Sequence, residues 1–136
     1  MYRIIVLLVA LSFLNSCSKE NDTSGTGSQS SLANIIIASE YDATIKSGVS
    51  LMFFHATWCS ICAAQRPDVE GLTSETTIKG AKLGQIDTDK SKDITTKYSV
   101  SGQPVIIIYK DNVEKHRLFG KGHSKTTLTN LIKALM

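Results

Sequence analysis

The sequence contains little of several features that mark other classes of protein. Its 136 residues include three cysteines, two prolines and one tryptophan, and its 15 basic side chains outnumber the 12 acidic ones by only three. These charges are scattered and form no basic stripe or block, so nucleic acid is not an expected partner. The length suits one ordinary domain and is too short for two unless both are minimal.

A single long apolar run stands near the start of the chain, from Ile4 to Leu14, after the basic residue Arg3. The run is too short to cross a bilayer as a helix, whereas a basic start followed by a short apolar stretch is typical of an export signal. Residues 1–16 are therefore predicted to be a signal peptide that takes no part in the fold. A buried N-terminal helix and a retained anchor are the alternatives.

The end of this segment, Leu14-Asn15-Ser16-Cys17, resembles the lipobox of bacterial lipoproteins, although Asn15 is less usual at its position. The resemblance implies that Cys17 is lipidated and becomes the mature N-terminus. The following residues up to Ser31 include no large apolar side chain, so residues 17–31 are predicted to be the lipidated cysteine and a flexible tether. We therefore expect an exported protein, held to a membrane by the lipid on Cys17, that faces the periplasm or is exposed on the outer membrane.

From residue 32 onward, short apolar runs alternate with amphipathic segments, which is the pattern of an α/β domain over residues 32–136. Turn and cap signals are placed accordingly: Gly48 ends the first helix, Asp111-Asn112 connects a hairpin, and Ser124 caps the last helix. Strands are predicted at 34–38, 49–55, 81–87, 105–109 and 113–119, and helices at 39–46, 60–77, 90–98 and 124–136.

Cys59 and Cys62 fall where the central strand passes into a helix. Unpaired backbone N–H groups and the positive end of the helix dipole favour a thiolate there, so Cys59 is predicted to be a nucleophile. Cys62 lies one turn later on nearly the same face, close enough to bridge to Cys59 and more shielded, so it is predicted to be the resolving thiol. Such a pair exchanges disulfides and needs no cofactor besides its own redox-active disulfide.

A CxxC motif alone has two other interpretations. Two thiolates at this spacing also form half of a zinc site, but the three histidines, His55, His116 and His123, are not spaced as a second ligand pair. No metal is therefore predicted. A purely structural disulfide is the other alternative, although its short loop would constrain the unfolded chain little.

Several separated features resemble the thioredoxin family, from about Asn34 to the end of the chain. Trp58 precedes the first cysteine, Pro67 stands five residues after the second, and Gly120 and the final helix also match. The segment from Tyr98 to Val105 resembles the family segment whose proline is cis and faces the cysteines. The resemblance implies a thioredoxin-like three-layer fold, in which helices flank a central mixed β-sheet.

The resemblance also implies where a substrate binds. A groove framed by Trp58, Gln103 and a cis Pro104 is expected, in which backbone groups of Gln103 pair with an extended substrate. One position departs from the family, because Phe53 stands where ordinary thioredoxins have a buried aspartate six residues before the first cysteine. Strand alternation places His55 on the same face as Phe53, so His55 is a candidate proton acceptor, the alternative being a packed aromatic spacer.

Two hypotheses follow from these features. The first is a thiol-disulfide oxidoreductase, more a reductase than an oxidase, because the domain has no room for the helical lid of the disulfide-forming oxidases. Its expected partners are protein thiols and disulfides in the cell envelope and a membrane electron donor, and it is expected to act as a monomer. The second hypothesis is a thioredoxin-fold module that binds peptides or a metal and whose cysteines turn over poorly.

Overall fold

The structure, a computed structural model, describes residues 32–136 as alternating strands and helices. Two short 3-10 turns, Gly71–Ser74 and Thr76–Ile78, follow the second helix. In chain order the elements are β1 (Ala33–Asn34), α1 (Ala38–Ile45), β2 (Val49–His55), α2 (Ser60–Glu70), β3 (Lys82–Asp87), α3 (Lys92–Lys97), β4 (Val105–Lys110), β5 (Val113–Phe119) and α4 (Lys125–Lys133).

The five strands form one mixed sheet in the order β1-β3-β2-β4-β5. β1, β3 and β2 run parallel, whereas β4 is antiparallel to β2 and β5 is antiparallel to β4. The tight turn between β4 and β5 uses Asp111 and Asn112, whose φ angles are 47° and 67°. Short polar side chains tolerate this left-handed conformation, so the predicted hairpin is confirmed.

Strand alternation divides the apolar side chains between the two faces of the sheet. On one face Leu51 and Phe53 of β2 pack with residues of α2 and α4, and on the other Met52 and Phe54 pack with residues of α1 and α3. Each face of the central strand therefore carries its own core, because successive side chains of a strand point to opposite sides. The predicted three-layer arrangement of a mixed sheet between helices is confirmed.

Four predicted elements differ from the structure by two or more residues at one end. β1 was predicted over 34–38 but covers only Ala33–Asn34, because Ile36 and Ile37 are more than half exposed and make no sheet pairs. The helix predicted over 90–98 covers only Lys92–Lys97. The helix predicted over 124–136 begins after Ser124, whose hydroxyl accepts the predicted capping bond from Thr127 N–H, and ends at Lys133.

The helix predicted over 60–77 ends at Glu70, and the chain continues as 3-10 turns. The hydroxyls of Thr73 and Ser74 donate to the carbonyls of Glu70 and Gly71. Such local side-chain bonds compete with helical backbone bonds, and they explain why the helix does not extend through this Ser- and Thr-rich stretch. Pro67 lies inside α2, as the sequence predicted.

Gly84 of β3 lies opposite Ala33 of β1 and Met52 of β2, at a position with no room for a side chain. A Cβ atom at this position would lie 2.7 Å from Cδ1 of Ile35 and 3.0 Å from Sδ of Met52, both in the core. We expect Gly84→Val to lower the free energy of unfolding by about 2 kcal/mol, because overpacking a filled core forces its neighbours to move. Chemical denaturation measures the change. Gly102→Ala is the control, since a Cβ there meets no atom within 4 Å, and equal stability of the two variants would contradict this description of the packing.

Candidate active site

Cys59 lies between the end of β2 and the first turn of α2, where it is the N-cap residue of that helix. Its backbone is extended, with φ −85° and ψ 104°, and its Sγ accepts a hydrogen bond of 3.1 Å from the backbone N–H of Cys62. A helix leaves its first N–H groups without internal partners, so here a sulfur takes the place of the usual capping oxygen. The predicted strand-to-helix position of Cys59 is confirmed.

The two cysteines form a disulfide in the structure, with Sγ atoms 2.23 Å apart and Cα atoms 5.2 Å apart. Cys59 is 8 % exposed and Cys62 is 1 % exposed. Cys59 is therefore the more accessible sulfur and Cys62 the more shielded one, as the sequence predicted. Within residues 32–136, no group of three or more His, Cys, Asp or Glu side chains is placed to hold a metal ion.

A shallow groove runs over Cys59 between two segments of the chain. Trp58 and Ile61 line it from the start of α2, and Ser101 to Gln103 line it from the loop before β4. The Gln103–Pro104 peptide bond is cis, as the resemblance implied. Of the three residues expected to frame the groove, the structure brings Trp58 and Gln103 together at Cys59, whereas Pro104 is buried and does not line the groove.

Trp58 is 69 % exposed and is held in place by Asp89, a residue that the sequence analysis did not single out. The indole Nε1 donates to Oδ2 of Asp89 over 2.6 Å, and Asp89 also pairs with Lys92 at 3.4 Å. The hydrogen bond from Trp58, with a smaller contribution from Lys92, lowers the pKa of the Asp89 carboxyl. The sequence signal was faint, since Asp89 is a single carboxylate in the turn after β3.

His55 is buried, being 7 % exposed, and its ring stacks on that of Phe53 with centroids 5.5 Å apart. The predicted shared strand face is therefore confirmed. His55 lines a cavity of about 210 Å³ together with Gln85 and Asp87, which is separate from the groove over Cys59. Its Nδ1 has no hydrogen-bond partner in the described part of the chain. A role as proton acceptor stays a prediction.

Phe53 is fully buried in the apolar cluster that contains both cysteines, and it lies opposite Gln85 in the sheet register. The guanidinium carbon of Arg66 lies 5.5 Å from the centre of the Phe53 ring. Arg66 also donates to Oε1 of Gln85 over 2.7 Å. The sequence analysis missed Arg66, although its spacing of four residues from Cys62 along one helix was a usable signal.

A family model described as Thioredoxin matches residues 33–134, which is most of the chain. The chain belongs to the thioredoxin family. Thioredoxin of Chlamydia pneumoniae is 35 % identical over 101 residues, covering 74 % of this chain and 96 % of the relative. Thioredoxin-2 of Saccharomyces cerevisiae is 35 % identical over 85 residues, covering 61 % of this chain and 80 % of the relative.

Solved thioredoxin structures agree with the fold. A mutant thioredoxin from Halobacterium salinarum NRC-1 superposes with a TM-score of 0.68 at 28 % identity, covering 82 % of this chain and 96 % of that one. Oxidised mitochondrial thioredoxin 3 from Saccharomyces cerevisiae gives a TM-score of 0.66 at 25 % identity, covering 77 % of this chain and 96 % of that one. With the cysteine pair at disulfide distance, family membership makes this protein a thiol-disulfide oxidoreductase that acts on protein thiols and disulfides.

The predicted signal peptide, the lipidated Cys17 and the tether lie outside the described residues. Among residues 32–136, no helix is of the length and apolar character that a bilayer-spanning helix needs. The membrane attachment of this protein therefore stays a prediction of its N-terminal sequence.

The bond between Trp58 and Asp89 predicts a pH-dependent signal. Because the pKa of Asp89 is lowered, the charge-assisted bond from Trp58 to its carboxylate is present at neutral pH and weakens only as the pH falls through the lowered value. We expect the fluorescence of Trp58, the sole tryptophan, to change with a midpoint below 3.8, the ordinary aspartate value.

Asp89→Asn is the matched control for this titration, because the amide still accepts the bond but does not ionise. The transition should disappear in that variant, while circular dichroism recorded in parallel excludes acid unfolding. A midpoint at or above the ordinary aspartate value, or a transition that persists in the variant, would contradict the bond as described.

Proposed function

We propose that this protein exchanges its Cys59–Cys62 dithiol and disulfide with exported protein substrates, acting as a reductase more than as an oxidase. The observation that carries this proposal is the position of the cysteine pair. The more accessible sulfur caps the active-site helix, and its more buried partner is bonded to it. The reaction needs no organic cofactor, since the pair itself carries the two electrons.

Cys59 is the nucleophile in this proposal. The N–H of Cys62 already points at the Cys59 sulfur in the disulfide, and the same donor and the positive helix end stabilise a thiolate after reduction. The Cys59 thiolate attacks one sulfur of a substrate disulfide, forming a new S–S bond and releasing the other substrate sulfur as a thiolate. The released thiolate takes a proton from water.

Cys62 completes the exchange as the resolving thiol. It loses its proton to water, and its thiolate attacks Sγ of Cys59, so the protein disulfide forms as the bond from Cys59 to the substrate breaks. The substrate sulfur leaves as a thiolate and takes up a proton from water. Two electrons have then passed from the protein to the substrate. Because Cys62 is more buried than Cys59, an incoming substrate meets Cys59 first and Cys62 reacts only with the sulfur next to it.

The groove fits an extended segment of a protein substrate. Trp58 and Ile61 are large apolar side chains that are about half exposed or more, and both lie beside Cys59. Within residues 32–136, the backbone N–H and carbonyl of Gln103 have no hydrogen-bond partner. A substrate strand that pairs with Gln103 while its neighbours cover Trp58 would hold a disulfide over Cys59.

The preference for reduction is supported by the short connection between β3 and β4. α3, of six residues, is the single helix there, so the described domain contains no inserted helical lid over the cysteines. Repeated reduction requires an electron source, and the predicted lipid on Cys17 would keep the protein close to a membrane electron donor. We expect a monomer that acts in the periplasm or at the surface of the outer membrane.

Insulin reduction by the full chain tests the role of the cysteine pair. Cys59→Ser should reduce turnover to background, because the nucleophile is removed. Cys62→Ser should instead accumulate mixed disulfides, because capture continues without resolution. Cys17→Ser is the matched control and should keep turnover, since it exchanges a cysteine outside the pair. An inactive wild-type protein would favour the alternative, a peptide-binding module.

The predicted lipid anchor has an independent test. We expect Cys17→Ala to move the protein out of the membrane fraction and to change its electrophoretic mobility, because an acylated N-terminal cysteine supplies the hydrocarbon chains for stable attachment. Cell fractionation and gel mobility measure both effects. A variant that stays in the membrane fraction with unchanged mobility would overturn the lipoprotein assignment.

A further inference from the structure

The active-site helix carries a fixed cation close to the cysteine pair. Arg66 follows Cys62 by four residues on α2, so the two side chains are neighbours on the helix surface, with Cβ atoms about 5–6 Å apart. The side chain of Arg66 is 28 % exposed, which leaves most of it covered by protein. Its charge is therefore screened less than that of a fully exposed side chain.

Contacts with two elements hold the guanidinium in place. Nη1 of Arg66 donates to Oε1 of Gln85 on β3 over 2.7 Å and to Oε1 of Glu70 on α2 over 3.2 Å. Its Cζ lies 5.5 Å from the ring centre of Phe53, which packs in the same apolar cluster as both cysteines. A cation on an aromatic face with two hydrogen bonds has little freedom to turn toward solvent.

The negative partner of this cation lies farther from the cysteines. Glu70 is one turn beyond Arg66 along α2, whereas Cys62 is one turn before it, so the Arg66–Glu70 pair presents its positive end to the cysteines. The pair therefore has the same direction as the dipole of α2, whose positive end is also at the cysteines. The electric field of the Arg66–Glu70 pair and that of the α2 dipole therefore have the same sign at the cysteines.

The other charged groups near this end of the sheet form their own pairs. Asp87 at the end of β3 pairs with Lys90 at 3.5 Å, and Asp89 in the following turn pairs with Lys92 of α3 at 3.4 Å. β4 and α4 contribute apolar side chains to the cluster around the cysteines, which are Ile106, Ile108, Leu128 and Ile132.

His55 on β2 is the titratable side chain on the same strand face as Phe53. Burial, and after it the charge of Arg66, lower the pKa of the imidazole, while Asp87 opposes them. His55 is therefore neutral at neutral pH and adds no positive charge of its own. Arg66 is a cation that shares its helix with Cys62 and contacts Phe53, a member of the apolar cluster that contains both cysteines.

We propose that Arg66 is a positioning residue for thiol-disulfide exchange, whose fixed positive charge stabilises the thiolate of Cys62 while the mixed disulfide is resolved. The inference rests on the proposed roles of Cys59 and Cys62. Phe53, at the position where the family has a buried acid, cannot accept the proton of Cys62. A nearby cation lowers the free energy of the ionised thiol instead, and the proton passes to water. As in the resolving step, the bond between the sulfurs of Cys62 and Cys59 forms while the bond between Cys59 and the substrate sulfur breaks.

The same charge also acts on the redox equilibrium. It stabilises thiolates in the reduced protein, whereas the disulfide carries no charge for it to stabilise. A stabilised reduced form makes a couple more oxidising. Arg66 thus accelerates resolution while it limits how strongly reducing the protein is.

Arg66→Met in the full chain tests the proposal, because it removes the charge and keeps much of the apolar stem. Titration of the reduced protein, followed by the ¹³Cβ shifts of its cysteines, gives the two titration midpoints of the Cys59–Cys62 pair. We expect the sum of the two midpoints to rise by about half a pH unit to one pH unit in Arg66→Met. In equilibrium with glutathione, two molecules of which supply two electrons and two protons as they form one glutathione disulfide, the ratio of dithiol to disulfide should fall by about threefold to tenfold at about pH 9, and by less at about pH 6.

Three further variants separate a charge effect from a structural one. Arg66→Lys should retain the wild-type midpoints, because it keeps the charge. Glu70→Gln should lower the two midpoints, because it removes the negative end of the Arg66–Glu70 pair. If Arg66 had only a structural role, Arg66→Met and Glu70→Gln would shift the midpoints in the same direction. Lys133→Met, which removes an exposed cation at the end of α4, should change nothing.

Unchanged midpoints in Arg66→Met, or midpoints that rise in Glu70→Gln, would overturn the role of Arg66 and leave the proposed exchange reaction intact. A wild-type protein whose Cys59–Cys62 pair does not equilibrate with glutathione would instead overturn the proposed reaction, and the role of Arg66 with it.

Discussion

The chemistry of this protein depends on one contact, the hydrogen bond from the N–H of Cys62 to the sulfur of Cys59. It exists because β2 ends at His55 and α2 begins at Ser60, which leaves Cys59 as the N-cap of a helix whose first N–H groups lack partners. β2 is fixed by its position at the centre of the sheet, between β3 and β4. The two apolar cores therefore serve the site indirectly, because they hold the strand and the helix whose junction places the sulfur.

Around this contact, one position departs from the pattern that the resemblance implied. Phe53 replaces the buried acid expected from the resemblance, and Arg66 covers its ring from the active-site helix. A shielded thiol does not ionise readily. A buried acid helps by taking up the proton, whereas a fixed cation helps by stabilising the thiolate. Both act on the resolving step, and they differ in the charge that they leave near the reduced cysteines.

The sequence predicted the parts of the fold that are set by local patterns. The bounds of β2 and β5 agree with the structure because their strand signals are bounded by clear turn residues, and the Asp111-Asn112 turn follows from residue types that tolerate positive φ. The helix predicted over 60–77 was too long because local side-chain bonds end it at Glu70, whereas other errors arose where tertiary contacts decide. The run from Ile35 to Ile37 looked like a strand, but only Ile35 is buried. The contacts of Trp58 with Asp89 and of Arg66 with Gln85 join residues 31 and 19 positions apart, and no local pattern encodes such distances.

The account as a whole requires that the sulfur at the start of α2 ionise readily, and the pH dependence of alkylation at Cys59, read by mass spectrometry of the reduced full chain, measures this most directly. The account predicts a rate that rises with a midpoint well below the ordinary cysteine value of about 8.5. A midpoint at or above that value would show that the helix end does not stabilise the thiolate, and it would contradict the account at its first step.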